Sequence, residues 1–326
     1  MEDAMPRAFV ILALSAALAL PAAAEEITLR HGFGETRLDP DKVKRIVSVG
    51  YHEQDFLYAL GIAPVGVHDW FGDHPYATGP WAEGARKAVG AEPEVQKGFE
   101  IDVEWVWEQE PDLIVATFAP MDAALYAQLS QIAPVLGPPA DYPLWGGPWD
   151  AELRLIAQAT GREDQAKAVI DRISAKVETA VAAHPKFRGL SGTAAYFQNG
   201  QIVGYRSQDG ANRLLDSFGI KTPPVFDEMV AGSDRFQISP ERFDLFDLDV
   251  LFWLVEPPSR TAIEALPSWQ NTRAAREGRA IWASPEMMGA MAFQSPLSIE
   301  WALEPLTKLL AAASDGNPDT STDLTP

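Results

Sequence analysis

The sequence contains no cysteine, which excludes disulfide bonds, thiolate metal sites, a cysteine nucleophile and a lipid-modified N-terminal cysteine. It also has little positive charge: 26 Lys and Arg stand against 46 Asp and Glu, for a formal net charge of −20. A chain this acidic is repelled by nucleic acids and by anionic membrane surfaces, so neither is expected as a partner.

The sequence also lacks the short motifs of common enzyme active sites. It has no Gly-x-Ser-x-Gly elbow, no Gly-x4-Gly-Lys-Ser/Thr phosphate loop, no Gly-x-Gly-x-x-Gly after a strand and no His-Glu-x-x-His. We therefore do not expect an enzyme.

No apolar run in the sequence is long enough to span a bilayer. The apolar stretch 8–20 is shorter than the roughly 20 residues that a transmembrane helix needs. It follows Arg7 and precedes the small residues 22–24. This pattern is typical of a secretory signal peptide with cleavage before Glu25. Because no cysteine is available for lipidation, the mature protein is expected to be free in a bacterial periplasm.

An internal repeat is the most informative feature that is present. Ile101–Glu104 is followed by an apolar run that Asp112 opens, and Ile238–Glu241 is followed at the same spacing by an apolar run that Asp249 opens. In each copy a short polar residue can cap a short helix whose first turn holds a glutamate. The repeat predicts two similar lobes, each with a short helix followed by a buried strand.

Apolar runs alternate with helical stretches in both halves of the chain. This alternation predicts an α/β fold with two Rossmann-like lobes and mainly parallel central sheets. A helix of about 20 residues with one apolar face follows Gly161, and we expect it to join the lobes as a rigid connector. The predicted parts are a signal peptide (1–24), an N-terminal lobe (25–148), a helical segment (149–188), a C-terminal lobe (189–313) and a disordered tail (314–326).

Several segments carry a resemblance to a known family. They are 45–48, 59–67, 111–115, 129–135, 269–271 and 295–298. Their order and spacing resemble the periplasmic binding proteins of ABC importers for iron–siderophore complexes, haem and cobalamin, in which a rigid helix links two lobes. The resemblance covers nearly the whole mature chain, and segments 51–55 and 75–81 are most similar to the iron–siderophore branch.

This resemblance implies a monomeric receptor for iron transport that has no cofactor. It traps an Fe³⁺–siderophore complex between its lobes and delivers it to the permease dimer of an inner-membrane ABC transporter. By the same resemblance, Glu104 and Glu241 take the places of two glutamates that dock into basic pockets on the two permease subunits.

Candidate ligand-binding residues follow predicted strands, because open α/β sheets bind ligands beyond the carboxyl ends of their strands. The loop after Val67 is rich in rings and is expected to form an aromatic wall. The candidates in strand-end loops are Tyr51, His52, Trp70, Phe71, Tyr76, Trp81, Tyr205, Arg206, Met288 and Phe293. Trp145 and Trp149 are added because they lie near the presumed junction of the lobes.

These residue types suit an iron chelate because the chelator already saturates the Fe³⁺ ion. The protein then needs rings and thioethers to pack the organic shell, and no metal ligand of its own. Arg206 is the candidate partner for an anionic complex. The scarcity of basic residues in the aromatic loops favours a neutral or cationic hydroxamate complex over a triply charged catecholate.

Haem or cobalamin is the main alternative ligand, with His52, His74 or Tyr51 as the candidate axial ligand. A bare Zn²⁺ or Mn²⁺ ion is less favoured. It needs about four ligands, and the second lobe has no histidine after His184. An enzyme is the least favoured alternative.

Overall fold

The computed structural model describes residues 26–69, 72–143 and 145–323. The predicted signal peptide (1–24) lies outside the described residues, and so do the candidate ligand residues Trp70 and Phe71. The described chain forms two lobes, each with a five-stranded sheet. The predicted α/β fold with two lobes is confirmed.

Lobe one opens with an antiparallel hairpin and then alternates strands with helices. Its elements are β1 (Ile27–His31), β2 (Gly34–Leu38), β3 (Ile46–Ser48), α1 (Glu53–Ala59), β4 (Gly66–Asp69), α2 (Glu83–Ala88), β5 (Glu94–Lys97), α3 (Val103–Glu108), β6 (Leu113–Val115), α4 (Ala123–Leu129) and β7 (Val135–Leu136). The sheet order is β5-β4-β3-β6-β7, and all neighbouring strands are parallel. The central strand β3 is buried along its whole length because helices cover both faces of such a sheet.

Two helices follow lobe one, α5 (Trp149–Thr160) and α6 (Glu163–Ala183). Gly161 ends α5 in the left-handed conformation, with φ of 62°, which glycine adopts without steric cost. The apolar face of α6 includes Val169 and Ile173, both buried. These two helices confirm the predicted elements, while the role of α6 as a rigid connector stays a prediction.

Lobe two contains a mixed sheet. Its elements are β8 (Gly192–Gln198), β9 (Gln201–Tyr205), α7 (Gly210–Ser217), α8 (Pro224–Met229), β10 (Arg235–Ile238), β11 (Val250–Trp253), α9 (Pro257–Glu264), α10 (Pro267–Gln270), α11 (Arg273–Arg276), β12 (Ala280–Trp282), α12 (Pro285–Phe293) and α13 (Pro296–Ala313). The sheet order is β10-β9-β8-β11-β12. Strands β8, β11 and β12 are parallel, whereas β9 is antiparallel to both of its neighbours.

The helix caps of the internal repeat form as predicted. The carboxylate of Asp102 accepts hydrogen bonds from the backbone N–H groups of Glu104 and Trp105, at 2.9 and 3.1 Å. The hydroxyl of Ser239 accepts one from the N–H of Glu241, at 3.4 Å. The first copy continues as α3, whereas the second copy is a 3₁₀ helix over Pro240–Phe246.

The aspartates of the repeat also occupy equivalent places. The Asp112 carboxylate accepts from the N–H of Arg45 at 2.9 Å, and the Asp249 carboxylate accepts from the N–H of Ser191 at 3.0 Å. Asp112 directly precedes β6, and Asp249 directly precedes β11. Each accepts a hydrogen bond from the residue just before the neighbouring parallel strand, β3 or β8. The sequence repeat is therefore a structural repeat.

A continuous apolar core joins the lobes through the helical segment. It runs from Phe56 and Leu113 in lobe one, through Ile156 and Ile170, to Leu306 in α13. Ion pairs reinforce the same packing, because Glu300 of α13 lies 3.0 Å from the Arg172 guanidinium of α6. Within the described residues, no helix has the length and apolarity to cross a membrane.

The chain after α13 lies against lobe two as far as it is described. The Asp323 carboxylate lies 2.8 Å from the Arg260 guanidinium, and its backbone forms a bridge with Trp282. Residues 314–323 therefore differ from the disorder predicted for the tail, because their end is held by an ion pair and a strand contact.

Candidate functional site

A cleft of about 910 Å³ lies between the two lobes. It opens at the carboxyl ends of the parallel strands, where the end of β8 and the loops after β3, β6 and β11 supply part of its lining. This position is the one expected for ligand binding by open α/β sheets. Its volume falls in the range of small-molecule sites, roughly 300–1,000 Å³.

Lobe one contributes a wall of aromatic rings. The rings of Tyr51 and Trp145 are stacked with their centroids 5.7 Å apart, and Phe118 meets Trp145 edge-on at 4.7 Å. Phe99 lies 6.0 Å from Tyr51 and remains 65% exposed. Because each ring holds its neighbour in place, this wall is an ordered apolar surface.

Lobe two contributes a wall of phenols and charges. The rings of Tyr196 and Tyr205 meet edge-on at 5.5 Å, and the guanidinium of Arg235 lies beside Tyr205. Burial raises the pKa of Tyr205 to about 12, so its hydroxyl stays protonated and able to donate a hydrogen bond. Carboxylates of Asp209 and Asp234 also line this wall, together with that of Glu256.

The half-buried carboxylate of Asp209 is the N-cap of α7. It accepts a hydrogen bond from the N–H of Ala211 at 3.1 Å. Burial raises the pKa of Asp209 to about 6, and the neighbouring Asp234 adds to the shift. At neutral pH Asp209 is therefore still mainly ionised.

The base of the cleft holds a buried imidazole that connects the lobes. His52, at the N-terminus of α1, has its Nε2 atom 3.1 Å from the Glu152 carboxylate of α5, and its Nδ1 atom contacts the carbonyl oxygen of Phe293, the last residue of α12. Both partners are acceptors, so the imidazole can donate to both only when each ring nitrogen carries a proton. Burial is the largest influence and opposes that charge, but the Glu152 carboxylate, Glu53 and the Phe293 carbonyl together outweigh it and raise the pKa of His52 to about 9.

A second polar link between the lobes lies beside the first. The Asp55 carboxylate of α1 accepts from the hydroxyl of Ser295, the N-cap of α13, at 2.6 Å, and from the indole N–H of Trp81 at 2.7 Å. Burial raises the pKa of Asp55. Glu53 is also buried in α1, and its carboxylate accepts from the N–H of Phe118 at 2.7 Å.

Most of the described candidate residues meet in the cleft. Its lining includes Tyr51, His52, Trp145, Trp149, Tyr205, Met288 and Phe293. Three candidates are not part of the lining: Tyr76 lies under the Arg86 guanidinium at 4.3 Å, Trp81 donates to Asp55, and the guanidinium in the cleft belongs to Arg235 instead of Arg206. Trp81 also lies 6.2 Å from Trp301 of α13, measured between ring centroids, so the described part of the aromatic loop packs outside the cleft, against lobe one and α13.

Other lining residues were missed by the sequence reasoning. They include Phe99, Phe197, Tyr196, Glu152, Asp209, Asp234, Arg235 and Glu256. Tyr196 and Phe197 end a strand that the sequence does predict, so the strand-end rule applied to β8 finds them. Phe99 and Arg235 belong to the surroundings of β5 and β10, which carry no clear strand signal.

Comparisons with known proteins agree with this geometry. Residues 46–286 match the family model described as periplasmic binding protein. A curated relative, the probable siderophore-binding lipoprotein YfiY of Bacillus subtilis (strain 168), is 27% identical over 266 residues, which are 78% of each chain.

Two solved structures share the fold. A periplasmic solute binding protein from Mycobacterium smegmatis is 31% identical with a TM-score of 0.77, over 89% of this chain and 99% of that one. PiaA of Streptococcus pneumoniae in complex with ferrichrome is 23% identical with a TM-score of 0.79, over the same shares of the two chains. Since the family model spans most of its length, this chain belongs to the periplasmic binding protein family.

Proposed function

We propose that this protein is the receptor of an ABC importer, which captures a ferric siderophore in the cleft and delivers it to an inner-membrane permease. The observation that carries the proposal is the cleft itself. It has room for a chelate, an aromatic wall on one lobe and hydrogen-bonding groups on the other. The curated relative that is described as siderophore-binding supports the same ligand class.

The chemistry of the cleft suits a metal ion that arrives already coordinated. Rings pack the organic shell of a chelate, and phenol hydroxyls donate to its oxygens. His52 is unsuited to act as an axial ligand for haem, because its two ring nitrogens are engaged with Glu152 and Phe293. This removes His52 from the candidate axial ligands of haem.

The site of action that we propose is the periplasm. The signal peptide predicted from residues 8–20 directs export. The curated relative is described as a lipoprotein, whereas the 326 residues of this chain include no cysteine to carry a lipid. We therefore propose a receptor that is free in the periplasm.

Tryptophan fluorescence tests the ligand class. Trp145 and Trp149 line the cleft, so a bound ferric complex should quench their emission. We expect saturable quenching by a ferric siderophore in a series of hydroxamate, catecholate and citrate complexes. Haemin and cobalamin should give none. A saturable response to haemin with a Soret band, and none to the iron chelates, would contradict the proposal.

Removal of one ring of the aromatic wall should weaken binding. Trp145→Ala deletes the ring that stacks on Tyr51, and we expect the dissociation constant of the quenching complex to rise about tenfold to a hundredfold. Calorimetry is the appropriate measurement because the variant changes the fluorescence. Trp107→Ala is the matched control, since Trp107 is 66% exposed on α3 and outside the cleft lining. Equal affinities for the two variants would remove Trp145 from the site.

Closure around the ligand should be small. The apolar core runs without a break from lobe one through α5 and α6 to α13, and a large rotation would have to break that packing. We expect nearly the same radius of gyration in small-angle scattering with and without the ligand. A large compaction on binding would show that the helical segment is not a rigid connector.

A further inference from the structure

We propose that the cleft selects ferric complexes by charge, taking a neutral or singly cationic hydroxamate chelate whose cationic end lies against Asp234 and Glu256 of lobe two. This inference rests on the proposed function as a siderophore receptor. Three hydroxamates neutralise Fe³⁺, so such a chelate is neutral, or positive where its chain carries a free ammonium. Three catecholates leave a complex with a charge of −3.

The ionised side chains that line the cleft carry a net negative charge. The ionised side chains are those of His52, Glu152, Asp209, Asp234, Arg235 and Glu256. His52 and Glu152 neutralise one another at 3.1 Å. Within the lining three carboxylates then accompany one guanidinium, an excess of two negative charges, while Arg206 and Arg213 act on Asp209 from outside the lining. The undescribed residues between 26 and 323 are Trp70, Phe71 and Leu144, which add no charge.

The carboxylates of the lining are concentrated on lobe two. The lobe-one wall consists of uncharged rings, and all three carboxylates lie on lobe two. Asp209 is occupied as the cap of α7. Glu256 is exposed at the start of α9 and makes no side-chain cap hydrogen bond, and Asp234 is half-buried just before β10. Glu256 and Asp234 are therefore the carboxylates that an ammonium group can reach.

A buried amide at the base of the cleft points independently to a ligand. Gln294 lines the cleft and is 6% exposed, and its side-chain nitrogen has no hydrogen-bond partner within the described chain. A buried donor without an acceptor is unfavourable. The carbonyl oxygens of a hydroxamate chelate supply uncharged acceptors, which would satisfy the amide without adding charge to an acidic cleft.

A complex with a charge of −3 is repelled by this cleft. It would approach a lining that is acidic by two charges, on a chain with a net charge of −20. Arg235 is the single guanidinium of the described lining, and its one charge cannot balance three. Like charges of this kind reduce both the rate of encounter and the affinity.

A set of three iron complexes isolates the effect of ligand charge. Ferric desferrioxamine B has a charge of +1, its N-acetylated derivative has the same chelating groups and no charge, and ferric enterobactin is a tris-catecholate with a charge of −3. For the unmodified protein at low salt we expect the +1 complex to bind about threefold to tenfold more tightly than the neutral one, a difference that salt reduces. Ferric enterobactin should bind at least about a hundredfold more weakly than either.

A double variant tests the two residues. In Asp234→Asn/Glu256→Gln the preference for the +1 complex over the neutral one should fall to less than about twofold. Unchanged affinity for the neutral complex shows that the variant is folded. Glu228→Gln is the control, because Glu228 is exposed on α8 and outside the cleft lining, and it should keep the full preference.

The outcomes separate the charge inference from the proposed function. Tightest binding of ferric enterobactin would overturn the charge inference and leave the siderophore receptor standing. Failure of both hydroxamates to bind would overturn it as well. A preference for the +1 complex that survives in the double variant would remove Asp234 and Glu256 from the site. Binding of haemin with no iron chelate bound would refute the proposed function.

Discussion

Lysine at both Glu104 and Glu241 is expected to abolish uptake of the iron complex by cells and to leave the affinity of the purified protein for that complex unchanged. Both glutamates are exposed, and each lies in the first turn of a helix that is capped in the same way. Neither lines the cleft. The reversal therefore acts on a surface that the ligand does not touch.

The physical reason is the symmetry of the partner. We propose that the permease is a dimer that presents the same basic pocket twice, since this chain presents one glutamate on each lobe at the same position of an internal repeat. Each reversal replaces an attraction by a like-charge contact that costs several kcal/mol. Two such contacts should lower the affinity for the permease by more than about a thousandfold.

The measurement is uptake of a radiolabelled iron complex in cells whose own receptor gene is deleted. Export of each variant is checked in periplasmic extracts, and ligand affinity is measured on purified protein. Reversal of two other exposed acids, Glu163→Lys and Glu228→Lys, gives the same change in net charge away from the repeat and should preserve uptake. Normal uptake by the Glu104 and Glu241 variant would exclude these residues as docking contacts.

Much of the fold could be predicted because central strands and capped helices leave strong local signals. The unit from β3 through α1 to β4 reads as an apolar run, a helix and a second apolar run. The edge strands β5 and β10 leave weaker signals. Each has only four residues, Glu94–Lys97 and Arg235–Ile238, and is partly exposed. Such short segments are hard to distinguish from loops when tertiary contacts are unknown.

Helix α12 was missed for the opposite reason. Pro285–Phe293 is apolar nearly all round, so it lacks the alternation of polar and apolar faces that identifies a surface helix. Its start is nevertheless signalled by Ser284, whose hydroxyl accepts from the N–H of Met287 at 3.2 Å.

The candidate site was predicted in part because strand ends meet at one edge of a sheet. That rule placed Tyr51 at this edge, and Tyr51 does line the cleft. Trp145 and Tyr205 line the cleft too, but Trp145 lies near the lobe junction and Tyr205 ends the antiparallel strand β9, so the rule accounts for neither. It does not show which polar partner a ring will find. Trp81 faces Asp55, and this contact depends on how α13 packs against α1, which no local pattern contains.

Glu152→Ala is expected to destabilise the protein by about 3–5 kcal/mol, because it leaves the His52 imidazolium buried without its counterion. Unfolding in urea measures the change. Glu178→Ala on α6 is the control, since Glu178 is exposed and its loss should cost less than about 0.5 kcal/mol. Replacing His52 and Glu152 together by leucine should cost less than Glu152→Ala alone, because no unpaired charge remains.

The same pair should make stability depend on pH. The pKa of His52 is about 9 in the folded protein and about 6.5 when unfolded. Its contribution, on the order of 3 kcal/mol, is therefore fully present below pH 6.5 and is lost as the pH rises through 9. Burial raises the pKa values of Glu53 and Asp55, so these groups also favour the folded state at lower pH. Urea unfolding between pH 6 and 9.5 should show a steady fall in stability that is much smaller in the double leucine variant. A flat profile for the unmodified protein would mean that His52 is neutral, and a neutral imidazole can donate to only one of the two acceptors that join the lobes at the base of the cleft.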